Sequence, residues 1–489
     1  MMKWNLKRLR RSAAAAAVTV FVGAAAAGCG VKTVSQETET APPAETTTQA
    51  EEAETTKPSQ PETETISPLP SEEAEEEERD DKRMILMTDI HYLDPSLTDG
   101  GEAFTRMVEH GDGKLVNYVE EITDAALDEV VNQEPDVLIL AGDLTLEGEK
   151  ESHKGLAKKL RQVEDAGIPV VVIPGNHDIN NPSAAGYEED GIYPAENITA
   201  EDFEEIYEEF GYEESYSQDT FSLSYTYDLD DQFRLMMLDT CQYEPYNQVG
   251  GMIDTETYEW IEQQLEEAFD DGKTLLPVAH HNLLDQSQIY VGDCTIEHSS
   301  RLIDLLEKYD TDLFLSGHLH VQHWMQHDDI GIYEVVTSSL STPPCQYGVL
   351  DLEKDGNFRY WTQSVDMEGW AGKNGLKDEN LLNFNTYSPP TLNRIFYNQA
   401  YDAMKDSREE EKGSLYVKLT EEQKDAMSQV YADLNAACYG GRAVDVVDDA
   451  VKSQGFALWE EYCYPPLLFQ YLEYIVSDGV KDYNTLESY

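Results

Sequence analysis

Residues 170–178 read Val-Val-Val-Ile-Pro-Gly-Asn-His-Asp. A continuous apolar run of this length predicts a strand buried on both faces, as in a mostly parallel or mixed sheet. The run is followed at once by an amide, an imidazole and a carboxylate, which are all metal-ligand residue types. This stretch therefore predicts a buried strand whose carboxyl end carries polar chemistry.

The same arrangement recurs along the chain. The other apolar runs are Met84–Thr88, Val137–Ala141, Leu235–Asp239, Leu275–Ala279 and Leu313–Ser316. Four of them lead directly into further metal-ligand types: Asp89 and His91, Asp143, His280, and His318 with His320. In open α/β sheets, ligands bind at the carboxyl ends of the strands. We therefore expect these side chains to converge on one crevice.

The segments between the runs have helical length and spacing, which gives an α/β fold class. The predicted helices are Leu115–Val131, Glu149–Ala166, Glu256–Phe269 and Ser299–Tyr309. After His320 the pattern changes to closely spaced strands at Gly331–Thr337, Tyr347–Leu352 and Asn357–Gln363, which predict a second, antiparallel sheet. Two facing sheets with helices outside make a four-layer αββα sandwich, which we assign to residues 84–370.

Residues 371–489 predict a C-terminal helical region. The sequence Thr-Glu-Glu-Gln at 420–423 is a capping-box signature, and Gly440-Gly441 closes the segment that it opens. Thr391–Met404 and Pro466–Val476 also have helical patterns. Their aromatic stripes favour a packed core over a cofactor site.

The seven ligand-type residues predict a site for two divalent transition-metal ions. In extended backbone, Asp89 with His91 and His318 with His320 would each point to one side, since they stand two positions apart. A carboxylate such as Asp143 can bridge two cations, and Asn176 adds an amide oxygen. Imidazole, carboxylate and amide ligands without a thiolate suit Mn, Fe or Zn and not a structural cysteine-rich zinc site.

Together these segments resemble the calcineurin-like metallophosphoesterase superfamily, over about residues 84 to 366. The resemblance implies a metal-dependent phosphoric ester hydrolase with two metals. It assigns Asp89, His91, Asp143 and His320 to one metal and Asp143, Asn176, His280 and His318 to the other. It further implies that His177 contacts the phosphoryl group or protonates the leaving group, with Asp178 orienting it. The C-terminal helices resemble an appendage on bacterial members that cleave phosphodiesters, cyclic nucleotides among them.

The first 83 residues predict export. A basic start, an apolar stretch from Ala13 to Ala27 and a lipobox-like Ala-Ala-Gly-Cys ending at Cys29 indicate a lipoprotein signal peptide, residues 1–29, with lipidation at Cys29. Cleavage without lipidation, which would give a secreted protein, is the alternative. Residues 30–83 are rich in Glu, Thr and Pro and predict a disordered acidic tether. We expect the protein on the outer face of the cell membrane, attached through this lipid only.

The 489-residue chain carries a formal net charge of −63. Such a field repels nucleic acid and anionic lipid surfaces, so we expect a small phosphoester as the partner, captured by the metals. A phosphodiesterase is favoured; a phosphomonoesterase of nucleotides, sugar phosphates or phosphoproteins and a non-catalytic surface-binding lipoprotein are the alternatives. The five cysteines after Cys29 are scattered, which favours packing roles and leaves a Cys438–Cys463 bridge open.

Overall fold

The computed structural model describes residues 81–287, 292–327, 329–405 and 419–488. The predicted signal peptide, Cys29 and nearly all of the tether lie outside the described residues. Strand β1 begins at Asp81, so residues 81–83, predicted as tether, belong to a sheet. Arg83 explains the difference, because its guanidinium pairs with Asp351 on the neighbouring strand at 2.7 Å.

The strands are β1 (Asp81–Met87), β2 (Val137–Ala141), β3 (Val170–Ile173), β4 (Ala185–Glu188), β5 (Gly191–Pro194), β6 (Ser217–Gln218), β7 (Tyr225–Asp228), β8 (Phe233–Leu238), β9 (Thr274–Ala279), β10 (Leu313–Ser316), β11 (His323–Gln326), β12 (Tyr333–Val336), β13 (Gln346–Glu353), β14 (Phe358–Ser364) and β15 (Thr485–Ser488). All the predicted strands are present.

The helices are α1 (Glu102–His110), α2 (Val119–Gln133), α3 (Lys150–Asp165), α4 (Ala200–Ile206), α5 (Thr255–Asp271), α6 (Ser300–Lys308), α7 (Met367–Lys373), α8 (Glu379–Leu382), α9 (Phe384–Lys405), α10 (Glu421–Tyr439), α11 (Val447–Ala450), α12 (Gln454–Tyr462) and α13 (Pro466–Asp478). Among these described helices, none is long and apolar enough to span a bilayer.

Two mixed sheets form the centre of the fold. The first has the order β15-β14-β13-β1-β2-β3, with β1, β2 and β3 parallel. The second has the order β11-β12-β10-β9-β8-β7-β6, with β8, β9, β10 and β12 parallel. The parallel strands of each sheet therefore bring several carboxyl ends to one edge, as expected.

Strand β8 demonstrates the layering. All six of its residues are buried. Leu235 and Met237 pack in the core shared with the first sheet, while Met236 and Leu238 pack in a second core with α5 and α6. Helices α2 and α3 bury their apolar faces in the shared core. The α/β fold with four layers is confirmed.

The C-terminal region forms its own apolar cluster, chiefly from α9, α10, α12 and α13. Helix α10 begins with the predicted capping box: the Thr420 side chain accepts from the backbone N–H of Gln423, and the Gln423 side chain accepts from the N–H of Thr420. Strand β15, which was not predicted, returns to pair with β14. All five described cysteines are free, so the structure contains no Cys438–Cys463 bridge.

Candidate metal centre

The segments that follow β1, β2, β3, β9 and β10 meet at one edge of the sandwich. Backbone hydrogen bonds align them: the N–H of Asp89 donates to Gly142 O and that of His91 to Asp143 O, each at 3.0 Å, and the N–H of Gly317 donates to His280 O at 3.0 Å. The third bond stays within the second sheet, and the N–H of His318 donates to Asp89 Oδ2 at 3.0 Å, which links the two sheets. The carboxyl ends of both sheets thus form a single polar cleft.

The paired residues reach this cleft in an unexpected conformation. Five of the predicted ligands have positive φ: Asp89 52°, His91 50°, Asp143 48°, His318 72° and His320 58°. The expectation that the two pairs lie in extended backbone is therefore wrong, and tight left-handed turns bring their side chains into the cleft. Left-handed backbone at a residue other than glycine costs on the order of 1–3 kcal/mol and persists only where surrounding contacts impose it, commonly at functional sites.

Two glycines make this close assembly possible. Gly142 has φ +83°, and a Cβ there would lie 2.6 Å from His280 Nδ1. At Gly175 a Cβ would lie 2.1 Å from the backbone nitrogen of Asp143. Neither position has room for a side chain, because the neighbouring atoms are backbone or a buried imidazole.

One cluster of ligand atoms lies between Asp89, His91, Asp143 and His320. The Nε2 atoms of His91 and His320 are 3.0 Å apart, and Asp89 Oδ1 lies 3.3 Å from His320 Nε2. Asp143 Oδ2 lies 3.7 Å from His91 Nε2. Three of these four residues are fully buried, and His320 is partly exposed.

The second cluster centres on His280. Its Nε2 lies 3.4 Å from Asp143 Oδ1, 3.2 Å from Asn176 Oδ1 and 3.2 Å from His318 Nδ1. Asp143 therefore turns one carboxylate oxygen toward each cluster. This is the arrangement that a carboxylate bridging two cations requires.

The residues fit a pair of divalent cations. Asp89 Oδ1 is buried and accepts no hydrogen bond from the described residues, although it faces the Nε2 atoms of His91 and His320. Buried polar atoms in folded proteins are normally paired, so an unpaired carboxylate oxygen among converging imidazole nitrogens indicates a place for a cation. The donor set of imidazole, carboxylate and amide suits divalent transition metals.

Backbone carbonyls set the orientation of two rings in the second cluster. His280 donates from Nδ1 to Ala141 O, and His318 donates from Nε2 to Asp293 O, each at 2.9 Å. Each bond leaves the other ring nitrogen free to face the metal, as is usual for metal-binding histidines. His281 is also close, but its Nδ1 accepts from Thr240 Oγ1 and its Nε2 donates to Val249 O, both at 2.8 Å. It is therefore a packed histidine.

The electrostatics of the cleft favour ionised carboxylates. Burial opposes ionisation, but His280 and His177 hold the pKa of Asp143 well below its usual range. Burial alone would lower the pKa of His280, but the neighbouring Asp143 carboxylate raises it to about 9. Burial and the neighbouring His280 lower the pKa of His318 to about 4. Asp143 is thus a carboxylate at neutral pH, as a metal ligand must be.

His177 lies beside the ligand set. Its backbone N–H donates to Asp143 Oδ1 at 2.9 Å, and its ring Nε2 lies 3.9 Å from Asp143 Oδ2. Its Nδ1 donates to Leu146 O at 2.9 Å and faces Glu147 Oε2 at 3.1 Å. Burial alone would lower the pKa of His177, but the carboxylates of Asp143 and Glu147 raise it to about 10. The ring is held at Nδ1, and its Nε2 faces the cleft.

The predicted role of Asp178 needs correction. Its carboxylate accepts the backbone N–H groups of Leu144 at 3.0 Å, Thr145 at 2.9 Å and Gly175 at 2.8 Å. No hydrogen bond among the described residues joins it to His177. Asp178 therefore ties the segments after β2 and β3 together, and Glu147 orients His177 instead. Glu147 lies in a turn with no motif, so sequence patterns could not identify it.

Lys114 is, after Glu147, a second charged residue near the cleft that the sequence did not reveal. Its Nζ pairs with Asp112 Oδ2 at 2.8 Å, and its side chain is 8% exposed. Burial alone would raise the pKa of Asp112, but three nearby cationic groups, Lys114, His320 and His177, lower it to about 2. Lys114 also helps to lower the pKa of Glu147. A positive charge therefore borders the cleft of an otherwise very acidic protein.

Two family models match the chain, and several known proteins are similar to it. Residues 82–322 match the model of the calcineurin-like phosphoesterases, and residues 366–482 match the C-terminal domain of cyclic nucleotide phosphodiesterase. Over 252 residues the chain is 27% identical to a "Probable glycerophosphodiester phosphodiesterase" of Arcobacter nitrofigilis. The matched region covers 50% of this chain and 76% of that protein. It is 24% identical over 241 residues, 48% of its length, to 78% of a "Probable cyclic nucleotide phosphodiesterase" of a Synechococcus strain. A solved dimetal phosphatase from Danio rerio is similar with a TM-score of 0.41 at 12% identity, covering 58% of this chain and 95% of its own.

Proposed function

The chain belongs to the calcineurin-like phosphoesterase family, and we propose that within it this protein is a phosphodiesterase of small substrates such as cyclic nucleotides. Membership of that family makes it a metal-dependent phosphoric ester hydrolase with divalent metal ions. The observation that carries the choice of diesters is the match of residues 366–482 to the C-terminal domain of cyclic nucleotide phosphodiesterase. The names of the two relatives support the same choice.

Charge adds a physical argument for diesters. The chain has a formal net charge of −63, so any phosphoester approaches against a repulsive field. A diester has one negative charge at the reacting phosphate, whereas a monoester has nearly two at neutral pH. The same field disfavours long nucleic acids, which leaves small phosphodiesters as the proposed substrates.

The proposed ligands are Asp89, His91, Asp143 and His320 for one metal and Asp143, Asn176, His280 and His318 for the other. When bound, two divalent cations lower the pKa of water and neutralise charge on the phosphoryl oxygens. Mn, Fe or Zn suits this set of nitrogen and oxygen ligands best. The tight pairing of Asp143 with both clusters supports its role as the shared ligand.

His177 is the proposed general acid. Its Nδ1–H is bound to Leu146 O and Glu147, so Nε2 remains to give a proton to the departing alkoxide oxygen. A histidine whose other ring nitrogen is already bound suits this step, and general acid catalysis contributes about 10²–10⁴ in rate. Glu147, which is not a proposed metal ligand, faces Nδ1 at 3.1 Å and stabilises the imidazolium form of this ring.

A substrate screen tests the proposal. Purified protein with Mn²⁺ is assayed against bis(nitrophenyl) phosphate, nitrophenyl phosphate, cyclic nucleotides and glycerophosphodiesters, with the Asp143→Asn variant as the control for contaminating activity. We expect kcat/KM for diesters to exceed that for the monoester. A preference for the monoester would replace the diesterase assignment with a phosphomonoesterase, and no hydrolysis of any ester by metal-loaded protein would favour the binding-protein alternative.

We also propose that the protein is a lipoprotein on the outer face of the cell membrane, attached at Cys29. The basic start, the apolar stretch and the lipobox-like sequence support this. In producing cells, the Cys29→Ala variant should lose incorporation of labelled fatty acid and leave the membrane fraction. Equal labelling of both proteins would contradict lipidation at Cys29.

A further inference from the structure

Glu334 is a fully buried carboxylate inside an apolar strand. It is the second residue of β12, and its side chain accepts four hydrogen bonds. Oε1 accepts from Leu283 N at 2.7 Å and Ser316 Oγ at 2.6 Å; Oε2 accepts from Leu284 N and Gln286 Nε2, both at 2.7 Å. The ion pairs of the described residues include none to Glu334. Burying a charge without a cation is costly, so four short bonds to one carboxylate indicate a specific task.

The four donors belong to the two segments that carry His280 and His318, the imidazoles of the second ligand cluster. Leu283 and Leu284 closely follow His280, and Ser316 lies two residues before His318. Asn282 ties the same two segments, since its Nδ2 donates to Ser316 Oγ at 3.0 Å and to Gly317 O at 3.1 Å. Glu334 is therefore a common anchor for the backbone on which His280 and His318 are mounted.

The hydrogen bonds continue outward from Glu334 to the C-terminal region. Gln286, which donates to Glu334, accepts with Oε1 from His323 Nδ1 at 2.7 Å, and His323 Nε2 contacts Asp478 Oδ2 at 3.1 Å. Tyr474 donates to the backbone carbonyl of Gln286 at 2.7 Å. Asp478 and Tyr474 both belong to α13. Gln286 and His323 are buried, so the chain of bonds is sheltered from competing water.

We propose that Glu334 is a positioning residue of the metal centre, and that through Gln286 and His323 it ties the second ligand cluster to helix α13. This inference rests on the proposed two-metal centre. It gives the C-terminal region a part in holding the metal at His280 and His318. Residues that support metal ligands from behind commonly contribute 10–100-fold in metal affinity.

Glu334→Gln is the main test, because it keeps the size of the side chain and replaces one acceptor oxygen with a donor. In the wild type, each oxygen of Glu334 accepts from one backbone N–H and one side chain. Whichever way the new amide is turned, its nitrogen therefore faces two donors that it cannot accept from. Metal-free protein is titrated with Mn²⁺ by calorimetry, and bound metal is counted after dialysis. We expect the wild type to bind two ions and the variant to keep one with near wild-type affinity, with the second weakened about 10–100-fold. Raising Mn²⁺ should then restore kcat.

Glu164→Gln is the control for the change from carboxylate to amide, since Glu164 is partly exposed and accepts one backbone N–H, from Val170 at 2.8 Å, outside the cleft. It should bind both ions normally. Ser316→Ala, which removes one donor and keeps the carboxylate, should shift the second ion in the same direction by a smaller factor. It serves as the test if Glu334→Gln does not fold. His323→Phe, which keeps a ring packed against Tyr483, should also weaken binding of the second ion.

The outcomes separate the two proposals. Wild-type protein that binds fewer than two ions would overturn the proposed centre and this inference with it. If the wild type binds two ions, two results would overturn the positioning role alone. Either Glu334→Gln binds both ions with unchanged affinity, or it weakens the binding of both equally. Normal binding in His323→Phe would overturn the link to α13.

Discussion

The two sheets supply opposite halves of the proposed metal centre. The first sheet contributes both carboxylates, the amide of Asn176 and one imidazole, whereas the second contributes imidazoles only. Carboxylates of the first half accept backbone N–H groups, as from His318 to Asp89 Oδ2 at 3.0 Å. Imidazoles of the second half donate to backbone carbonyls, as from His280 to Ala141 O at 2.9 Å. One hydrogen bond in each direction thus ties the two halves together, and the cations would join the two sheets.

The variant Asp143→Asn should have the largest effect, because this residue faces both halves. One carboxylate oxygen lies 3.7 Å from His91 and the other 3.4 Å from His280. An amide can no longer bridge two cations, so both metals should bind more weakly and turnover should fall further than in any other variant below. Elemental analysis and kcat/KM measure this. Loss of only one ion would show that Asp143 serves one half alone.

The variant His177→Ala should keep both metals and lose about 10²–10⁴ in kcat, the usual contribution of a general acid. This residue belongs to the first half but is not among its ligands. The loss should be greater for alkyl esters than for nitrophenyl esters, because poor leaving groups need the proton most. Equal losses for both classes of ester would contradict the acid role.

Removal of the metals should reduce the free energy of unfolding, since the ions would connect the two sheets. An ion held at 100 times its Kd adds about 2.7 kcal/mol to the stability of the folded state. Thermal unfolding with and without EDTA measures the effect, and Asp143→Asn is the matched control that should show little change. A wild-type Tm that is insensitive to EDTA would contradict the joining role.

The variant Asp178→Asn should have the smallest effect on catalysis. Its carboxylate accepts three backbone N–H groups within the first half, so the variant should lose about 1–3 kcal/mol of stability as one donor is left unpaired. Turnover per folded molecule should fall far less than in His177→Ala. Denaturant unfolding and kcat at a temperature where both variants are folded distinguish the two. A kcat as low as that of His177→Ala would restore Asp178 to a catalytic role.

The sequence was informative where one local pattern had one physical cause. Apolar runs ending in Asp, Asn or His predicted the strands and their ends, because buried strands need apolar side chains and ligands need polar ones. The Thr420 capping box likewise predicted the start of α10. The short β15 has no apolar run to reveal it, and it depends on an edge supplied by β14.

Features set by tertiary contacts could not be predicted. The left-handed turns at Asp89 and His91 are imposed by neighbouring segments, since non-glycine residues avoid this region on their own. The side chain that contacts the His177 ring at Nδ1 is Glu147, whose neighbours in sequence carry no motif. Glu334 did leave a signal, a glutamate within the apolar run Tyr333–Val336, but its partners come from distant segments.

The central claim is that two cations join the two sheets through Asp143. Anomalous diffraction from crystals loaded with Mn²⁺ tests it most directly. The account predicts two peaks per chain about 3.5–4 Å apart, the usual spacing of two-metal sites. One should lie among Asp89, His91 and His320, the other among Asn176, His280 and His318, with the Asp143 carboxylate between them. A single peak, or peaks that Asp143 does not contact, would contradict the account.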